Sequence, residues 1–257
     1  MQTLRVDRQP AYVLHRRPYR NNSLLLELLT RDYGRVAVMA RGARQPKSRY
    51  HGQLIQFQPL LIGWSAKGGL GTLIQAERNG NTAQLQGRRL ACGLYVNELL
   101  MRLVHRDDPC LAIFQIYVSI LSQLAGDQTG QEAALRLFER DLLEALGYGM
   151  ALDRDVETGE AIRPECVYNY FLDKGPVRAA NGGVPGSQRA GVVQLKGSSL
   201  NALAQGRLND GEVLREAKRL TRMTLGKLLG NKPLNSRSLF RDNYGTRREG
   251  AAIEPES

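Results

Sequence analysis

Arg31-Asp32-Tyr33-Gly34-Arg35-Val36-Ala37-Val38-Met39-Ala40-Arg41-Gly42-Ala43-Arg44-Gln45-Pro46-Lys47-Ser48-Arg49-Tyr50 is the stretch on which the reading of this chain turns. It sets Arg31, Arg35, Arg41, Arg44, Lys47 and Arg49 against a single acid, Asp32. An apolar run over 24–29 precedes it and Asp32-Tyr33-Gly34 supplies a turn, so the pair reads as a β-hairpin. In the return strand Val36, Val38 and Ala40 share one parity, and Arg35, Ala37, Met39 and Arg41 share the other. A strand alternates faces, so a core on the valine side sends Arg35 and Arg41 to the opposite face. Gly42 turns the backbone, and Arg44, Lys47 and Arg49 carry the charge into a loop with Pro46. Such a face suits a phosphate backbone, with Tyr33 or Tyr50 as candidate stacking partners for a base. The same pattern also describes a solvated basic edge that keeps the hairpin from pairing with other chains.

Working outward, Ala11–His15 reads as a short strand ended by Arg16-Arg17-Pro18, because proline cannot continue a ladder. The apolar stretch 54–64 contains Pro59 as a bend, Gly68-Gly69-Leu70-Gly71 is a turn, and Thr72–Ala76 returns as a fifth strand. Five short strands in about 80 residues argue a small barrel, specifically an OB-fold. From Ala83 the apolar period lengthens to that of a helix. One helix covers Gly87–Val104, with Leu90, Leu94, Val96, Leu100 and Leu103 towards a core. Asp108-Pro109 starts a second, which runs to Gly126, and Gln131–Leu146, stopped by Gly147, is a third. In 152–197 the pattern breaks into strands at Val167–Leu172 and Val192–Leu195, with turns at Asn181-Gly182-Gly183 and Pro185-Gly186. Ser198 or Ser199 caps a short helix, and Asp210 opens the basic helix Gly211–Leu229. The fold class expected is therefore α+β: an OB-fold barrel over 1–82, a mainly helical domain over 83–241 with a β-hairpin insertion, and a disordered polar tail over 242–257.

Charge is unevenly spread over the 257 residues. Residues 1–82 carry 13 Lys/Arg against 4 Asp/Glu, and 211–241 carry 8 against 2, within a total of +11. Two basic blocks flanking a near-neutral middle favour nucleic acid over anionic lipid, since membrane binding calls for an amphipathic helix and the first block reads as strands. The absence of a long apolar run and of an apolar leader predicts neither a membrane span nor secretion. Three separated cysteines, Cys92, Cys110 and Cys166, fit a reducing cytoplasm. His15, His51 and His105 stand apart, and no phosphate loop, H-E-x-x-H or G-x-S-x-G occurs. The only dense acids, Asp153, Asp155, Glu157 and Glu160, could serve a metal-dependent nuclease or be a solvated loop. An RNA-binding OB module of translation or RNA processing is the alternative of another class.

With Tyr12-Val13-Leu14-His15, the basic hairpin, Arg41-Gly42-Ala43-Arg44 and Lys47-Ser48, the chain resembles the RecO family of bacterial DNA-repair recombination mediators. The likeness continues through Gly93-Leu94-Tyr95-Val96-Asn97-Glu98-Leu99-Leu100, Leu135-Arg136-Leu137-Phe138-Glu139, Leu146-Gly147-Tyr148-Gly149, Ala217-Lys218-Arg219 and Gly230-Asn231-Lys232-Pro233-Leu234-Asn235-Ser236-Arg237. It implies a non-enzymatic, cytoplasmic, nucleoid-associated protein that binds single- and double-stranded DNA and anneals complementary strands. It also implies help in loading RecA onto DNA coated with single-strand-binding protein, together with RecR. Many members hold a structural zinc on four cysteines after the Leu-Gly-Tyr motif. Only Cys166 lies there in this chain, so no cofactor or metal is expected, and Val167, Tyr168, Tyr170 and Phe171 should hold the insertion by packing.

The expected DNA-binding residues are Arg31, Arg35, Arg41, Arg44, Lys47 and Arg49, joined by Lys218, Arg219 and Arg222. The last three share one face of the basic helix with Arg215. Arg136 and Arg140, one turn apart at the border of the apolar stripe Leu135, Phe138, Leu142 and Leu146, are the expected grip on the acidic C-terminal tail of single-strand-binding protein. On spacing alone, an ordinary surface pair with Glu132 or Glu139 is the somewhat stronger reading.

Overall fold

A computed structural model describes residues 3–126, 130–179, 188–189, 191–230 and 233–242. The expected turns at 181–186 and the tail beyond 242 lie outside these residues. The chain forms two compact units. The first runs to Phe114 and regains Leu124 and the segment from Pro233; the second comprises Gln115–Gln123 and the described residues from 130 to Gly230.

In the first unit β1 (Leu4–Tyr19), β2 (Ser23–Thr30), β3 (Gly34–Ala40), β4 (Leu60–Ala66) and β5 (Gly71–Arg78) close into a barrel of order β1-β2-β3-β5-β4. This is the expected OB-like barrel. β1 is far longer than the short strand expected. Its first half pairs with β4, from Leu4↔Ala66 to Ala11↔Leu60, and its second with β2, from Ala11↔Thr30 to Tyr19↔Ser23. Register shifts at Val6/Gln9 and Val13/His15 bend it from one partner to the other. Pro18 does not stop the strand, because it sits in the last pairs of the ladder, opposite Leu24, where a missing donor costs little.

Period-2 alternation sends Leu26 and Leu28 of β2 and Val36, Val38 and Ala40 of β3 into the barrel with Val13, Ile62, Trp64 and Leu73. Each fully buried Leu, Ile or Val of this set contributes about 1.5–3 kcal/mol. The loop after β3 folds under the open end. Tyr50 and Leu54 enter the core, and the Tyr50 hydroxyl donates to the Ile74 carbonyl at 3.2 Å. Tyr33 meets Trp64 edge-on at 5.2 Å. Tyr50, buried and hydrogen-bonded, is not placed to stack on a base, while Tyr33 is half-buried beside Trp64.

Helix α1 (Gly87–Leu103) belongs to this unit. It buries Ala91, Cys92, Tyr95, Val96, Asn97, Leu99 and Leu100, while Leu90 stays exposed, so its inner face is rotated from the leucine stripe read in the sequence. Asn97 is tolerated inside because its amide donates to the Leu14 carbonyl at 3.0 Å. Glu98 clasps the returning segment: its carboxylate accepts from the Asn235 and Ser236 amides and the Ser236 hydroxyl at 2.6–2.9 Å.

The helix α2 (Leu111–Ala125) begins two residues beyond the expected Asp108-Pro109 start. In the second unit, α3 (Gln131–Ala145) ends as expected at Gly147, whose φ of 81° is one that favours glycine. Here β6 (Val167–Phe171), β7 (Gly175–Arg178), β8 (Gln188–Arg189) and β9 (Val192–Lys196) form a sheet of order β7-β6-β9-β8, larger than the hairpin expected. α4 (Gly197–Ala204) has Lys196 at its N-cap and no side-chain cap, so neither Ser198 nor Ser199 plays that part. α5 (Gly211–Leu229) starts as expected, with Asp210 accepting from the Glu212 and Val213 amides. α6 (Leu239–Asp242) follows the returning segment. Tyr168, Tyr170, Val193 and Leu195 pack with Leu200, Leu203, Ala217 and Leu220 in this unit's core.

The residues at the family's zinc position do not fit that metal. Cys166 is the one cysteine there, where tetrahedral zinc needs four ligands, and among the described residues no three of His, Cys, Asp and Glu are arranged to hold a metal ion. Asp155 organises the loop instead. Its Oδ1 accepts from the Glu157 and Thr158 amides at 2.8 and 3.1 Å, and its Oδ2 from the Arg178 amide at 2.8 Å, tying the loop to β7. The acids read as a possible metal site are thus a turn: Asp153 pairs with Arg154, Glu160 with Arg163, and Asp155 is buried. Desolvation pushes the Asp155 carboxyl up, but the three amides outweigh it and hold its pKa below the ordinary value. Stability from a depressed carboxylate is present above its unfolded pKa of about 3.9 and is lost as pH falls through the folded value. Asp155→Ala should therefore destabilise this unit by about 3 kcal/mol at pH 7, and by distinctly less near pH 2, in urea titrations at the two pH values.

Candidate nucleic-acid interface

Strand pairing decides which cations can act together. Pro18 lies opposite Leu24 and Leu24 opposite Ala40, so the β1–β2 turn and the loop leaving β3 share one end of the barrel. The Arg44 amide donates to the Asn22 carbonyl at 2.9 Å, and its guanidinium reaches the Asn21 carbonyl at 3.3 Å. Residues 15–24 and 41–56 together hold Arg16, Arg17, Arg20, Arg41, Arg44, Lys47 and Arg49, seven cations with no carboxylate among them. All seven are exposed. Arg41 and Lys47 make no ion pair among the described residues, while Arg49 is steadied by the Ile74 carbonyl at 2.8 Å and stands over the Tyr50 ring at 4.8 Å. The sequence reading missed Arg16, Arg17 and Arg20, which pairing alone brings beside Arg41 and Arg44. The available signal was an acid-free interval on each side of the hairpin.

Two of the expected cations stand elsewhere. Arg31 lies at the β2–β3 turn, at the other end of the hairpin, and forks onto Asp32 at 2.9 and 3.0 Å. Arg35 does occupy the outer face of β3, but that face is covered. Its guanidinium donates to the Met101 carbonyl at 2.8 Å and lies 3.7 Å from Glu27, which is also ion-paired to Arg106. The Asp107 amide donates to the Arg35 carbonyl at 2.9 Å, and Arg106 bridges Arg35 as a short added strand. Burial lowers the Arg35 pKa, with Glu27 opposing the shift. Arg35 is a structural cation here and is closed to a phosphate. Gly34 permits this close cover, since a Cβ there would sit 2.0 Å from the Asp108 carbonyl oxygen.

On α5, Arg215 and Arg222 are exposed, Lys218 pairs with Glu132 at 2.5 Å and Arg219 with Glu216 at 3.4 Å. The pair assigned to a partner peptide is engaged within the unit. Arg136 is 4% exposed and donates to Glu139 at 2.7 Å; Glu139 in turn accepts from the Thr221 hydroxyl of α5 at 2.5 Å. Arg140 donates to the carbonyls of Leu203 and Ala204 at 2.6 and 3.2 Å, closing the C-terminal end of α4, and pairs with Asp141. Neither offers a free fork to an incoming carboxylate. Helical spacing alone could not tell this inward stripe from a rim.

A closed five-stranded barrel with a carboxylate-free cationic end, in a chain whose second half is mainly helical, places the protein in the class of OB-type nucleic-acid-binding proteins. No helix among the described residues is long and apolar enough to cross a membrane. Comparison with known proteins narrows the class. The family "Recombination protein O N terminal" matches residues 1–80, and "Recombination protein O C terminal" matches residues 84–238. A DNA repair protein RecO of Coxiella burnetii (strain RSA 493 / Nine Mile phase I) is 46% identical, over 93% of this chain and 99% of that protein. DNA repair proteins RecO of Nitrosococcus oceani and Aromatoleum aromaticum are 44% and 42% identical, over 93% and 94% of this chain and 94% and 98% of their own. The chain belongs to the RecO family, and its role is in DNA repair.

Removing Arg136 should unfold rather than merely weaken a site, because it strands a buried Glu139. Arg136→Ala is expected to cost about 3–5 kcal/mol in urea denaturation, and Arg136→Met with Glu139→Leu to recover most of it, since a buried pair is replaceable by well-packed apolar groups.

Proposed function

We propose that this protein is a recombination mediator without catalytic activity of its own, which binds single- and double-stranded DNA through the cationic end of its barrel and anneals complementary strands. The observation that carries the reading is the exposed, acid-free set Arg16, Arg17, Arg20, Arg41, Arg44, Lys47 and Arg49. Lysines and arginines that neutralise phosphates release counterions without reading sequence, which suits a factor that must accept any strand. Annealing asks for two phosphate backbones to be held together against their repulsion, and a cationic surface lowers that repulsion. Family membership further supports a role with RecR in bringing RecA onto DNA coated with single-strand-binding protein. The acidic tail of that protein would then meet the α5 face of Arg215, Lys218, Arg219 and Arg222, of which Arg215 and Arg222 are exposed, whereas Arg136 is buried.

Replacing Arg41 and Arg44 with glutamate should weaken binding to all sequences alike and reduce the slope of log affinity against log salt by about 2 on duplex, one for each phosphate no longer neutralised. Fluorescence anisotropy across a salt series checks this, with matched DNA and RNA strands in competition to test the preferred nucleic acid. Wild-type affinity and slope in a folded double variant would overturn the assignment. Annealing of strands pre-coated with single-strand-binding protein should separately fall about tenfold when that protein lacks its tail, and Arg215→Glu with Arg222→Glu should reproduce the loss.

A further inference from the structure

The β2–β3 face that OB-type barrels ordinarily present to a ligand is covered here over much of its length, yet a cavity of about 290 Å³ opens at its margin. Trp64 and Tyr33 give it an aromatic side, and Leu4, Val36, Ala37 and Pro109 complete its apolar walls. The opening has a topological cause. β3 is bridged to Arg106 at Arg35 and to β5 only from Val38↔Gly71, so Val36 and Ala37 pass between two neighbours. Leu4 is 48% exposed, and Leu70, in the turn beside it, 45%. Gly68 and Gly69 form one rim, with open space where their side chains would be. On the other rim stands Asp107, held at a left-handed φ of 57°, with Asp108 following it. Neither carboxylate makes a hydrogen bond or ion pair among the described residues.

We propose that this cavity is a protein-docking site, which takes one bulky apolar or aromatic side chain of a partner segment that presents a lysine or arginine beside it. Its volume lies just below the usual range for small-molecule sites, room for one side chain rather than a cofactor. Its rim decides the partner's charge. Asp107 on the rim, with exposed Asp108 next to it in the chain, repels a phosphate backbone and attracts a cation, the reverse of the barrel end that carries Arg41 and Arg44. Arg31 does not cancel them, being paired with Asp32. Arg35 and Arg106 are turned to Glu27, and exposed Lys67 and Arg5 are nearby cations that would favour an acidic flank, so the charge of the probe is the variable to test.

Trp64 is the only tryptophan of the chain, so its emission reads the cavity directly. The full chain is titrated with three capped tripeptides, Arg-Phe-Arg, Glu-Phe-Glu and Arg-Gly-Arg. A saturable change with Arg-Phe-Arg is expected, about tenfold weaker binding with Glu-Phe-Glu, and no change with Arg-Gly-Arg. Asp107→Asn with Asp108→Asn, both exposed, should erase the charge preference without altering oligonucleotide affinity. Added single-stranded oligonucleotide should not displace the peptide. Equal binding of the two phenylalanine peptides, displacement by the oligonucleotide, or no saturable response to any probe would each overturn the proposal. So would a Trp64 change that follows protein concentration without peptide, which would assign the cavity to a second copy of the chain.

Discussion

Glu27 is a carboxylate on the outer side of a barrel strand that is 6% exposed, and much of the first unit follows from what that demands. A buried charge is tolerable only when paired and hydrogen-bonded. The pairing comes from Arg35 on the adjacent strand and from Arg106, carried by the segment that follows α1. Once Arg106 is drawn to Glu27, residues 106–108 must lie along β3, and the Asp107 amide and the bare Cα of Gly34 receive them. The outer face of the hairpin, open in an ordinary OB-type ligand site, is thereby used for folding. Exposed cations stand elsewhere on the barrel, gathered where the β1–β2 turn meets the loop after β3, and the proposed DNA contact follows them there.

That rearrangement marks the limit of what the sequence could say. Alternation of Val36, Val38 and Ala40 with Arg35, Met39 and Arg41 was enough to find the hairpin and its faces. The five strands, the capping Asp210 and the stop at Gly147 were equally legible, because each rests on local chemistry. What lies against an outer face is a long-range fact. Nothing within ten residues of Arg35 announces Arg106, seventy-one positions on. The same limit explains β1, where a proline rule of thumb ended a strand that two successive partners carry past it. It explains Arg17 and Arg20 as well, distant in sequence from Arg41 and Arg44 and neighbours only through the Leu24–Ala40 register.

The second unit shows the same logic with polar groups in the interior. Arg136, Glu139 and Thr221 link α3 to α5 through a pair that is almost wholly buried, and the Arg136 Nε and Nη1 atoms have no hydrogen-bond partner. Such a link is costly relative to apolar packing, but it is directional, and it fixes the rotation of one amphipathic helix against another where leucines alone would permit sliding. Asp155 does for the loop before β6 what a structural metal could do in its place. It gathers backbone donors from positions 157, 158 and 178 onto one centre, and it needs a carboxylate where zinc needs four ligands. One cysteine in this region is therefore enough for the small sheet, whose core Tyr168, Tyr170, Val193 and Leu195 close.

Two ends of one barrel thus carry opposite chemistry. The end with Arg41 and Arg44 has cations and no acid; the margin near Asp107 has an apolar cavity and two carboxylates that make no ion pair among the described residues. The acid-free end lies in a barrel domain whose residues 1–82 carry 13 Lys/Arg against 4 Asp/Glu. Segregation of this kind suits a mediator, which holds a strand and a protein together. On the reading proposed here, such a factor must keep the polyanion off the proposed docking surface, and repulsion between phosphates and the carboxylates of Asp107 and Asp108 would do so without any moving part. The covering segment that pairs Arg106 with Glu27 is the same one that delivers Asp107, so closing the usual groove and building the acidic rim are one structural event.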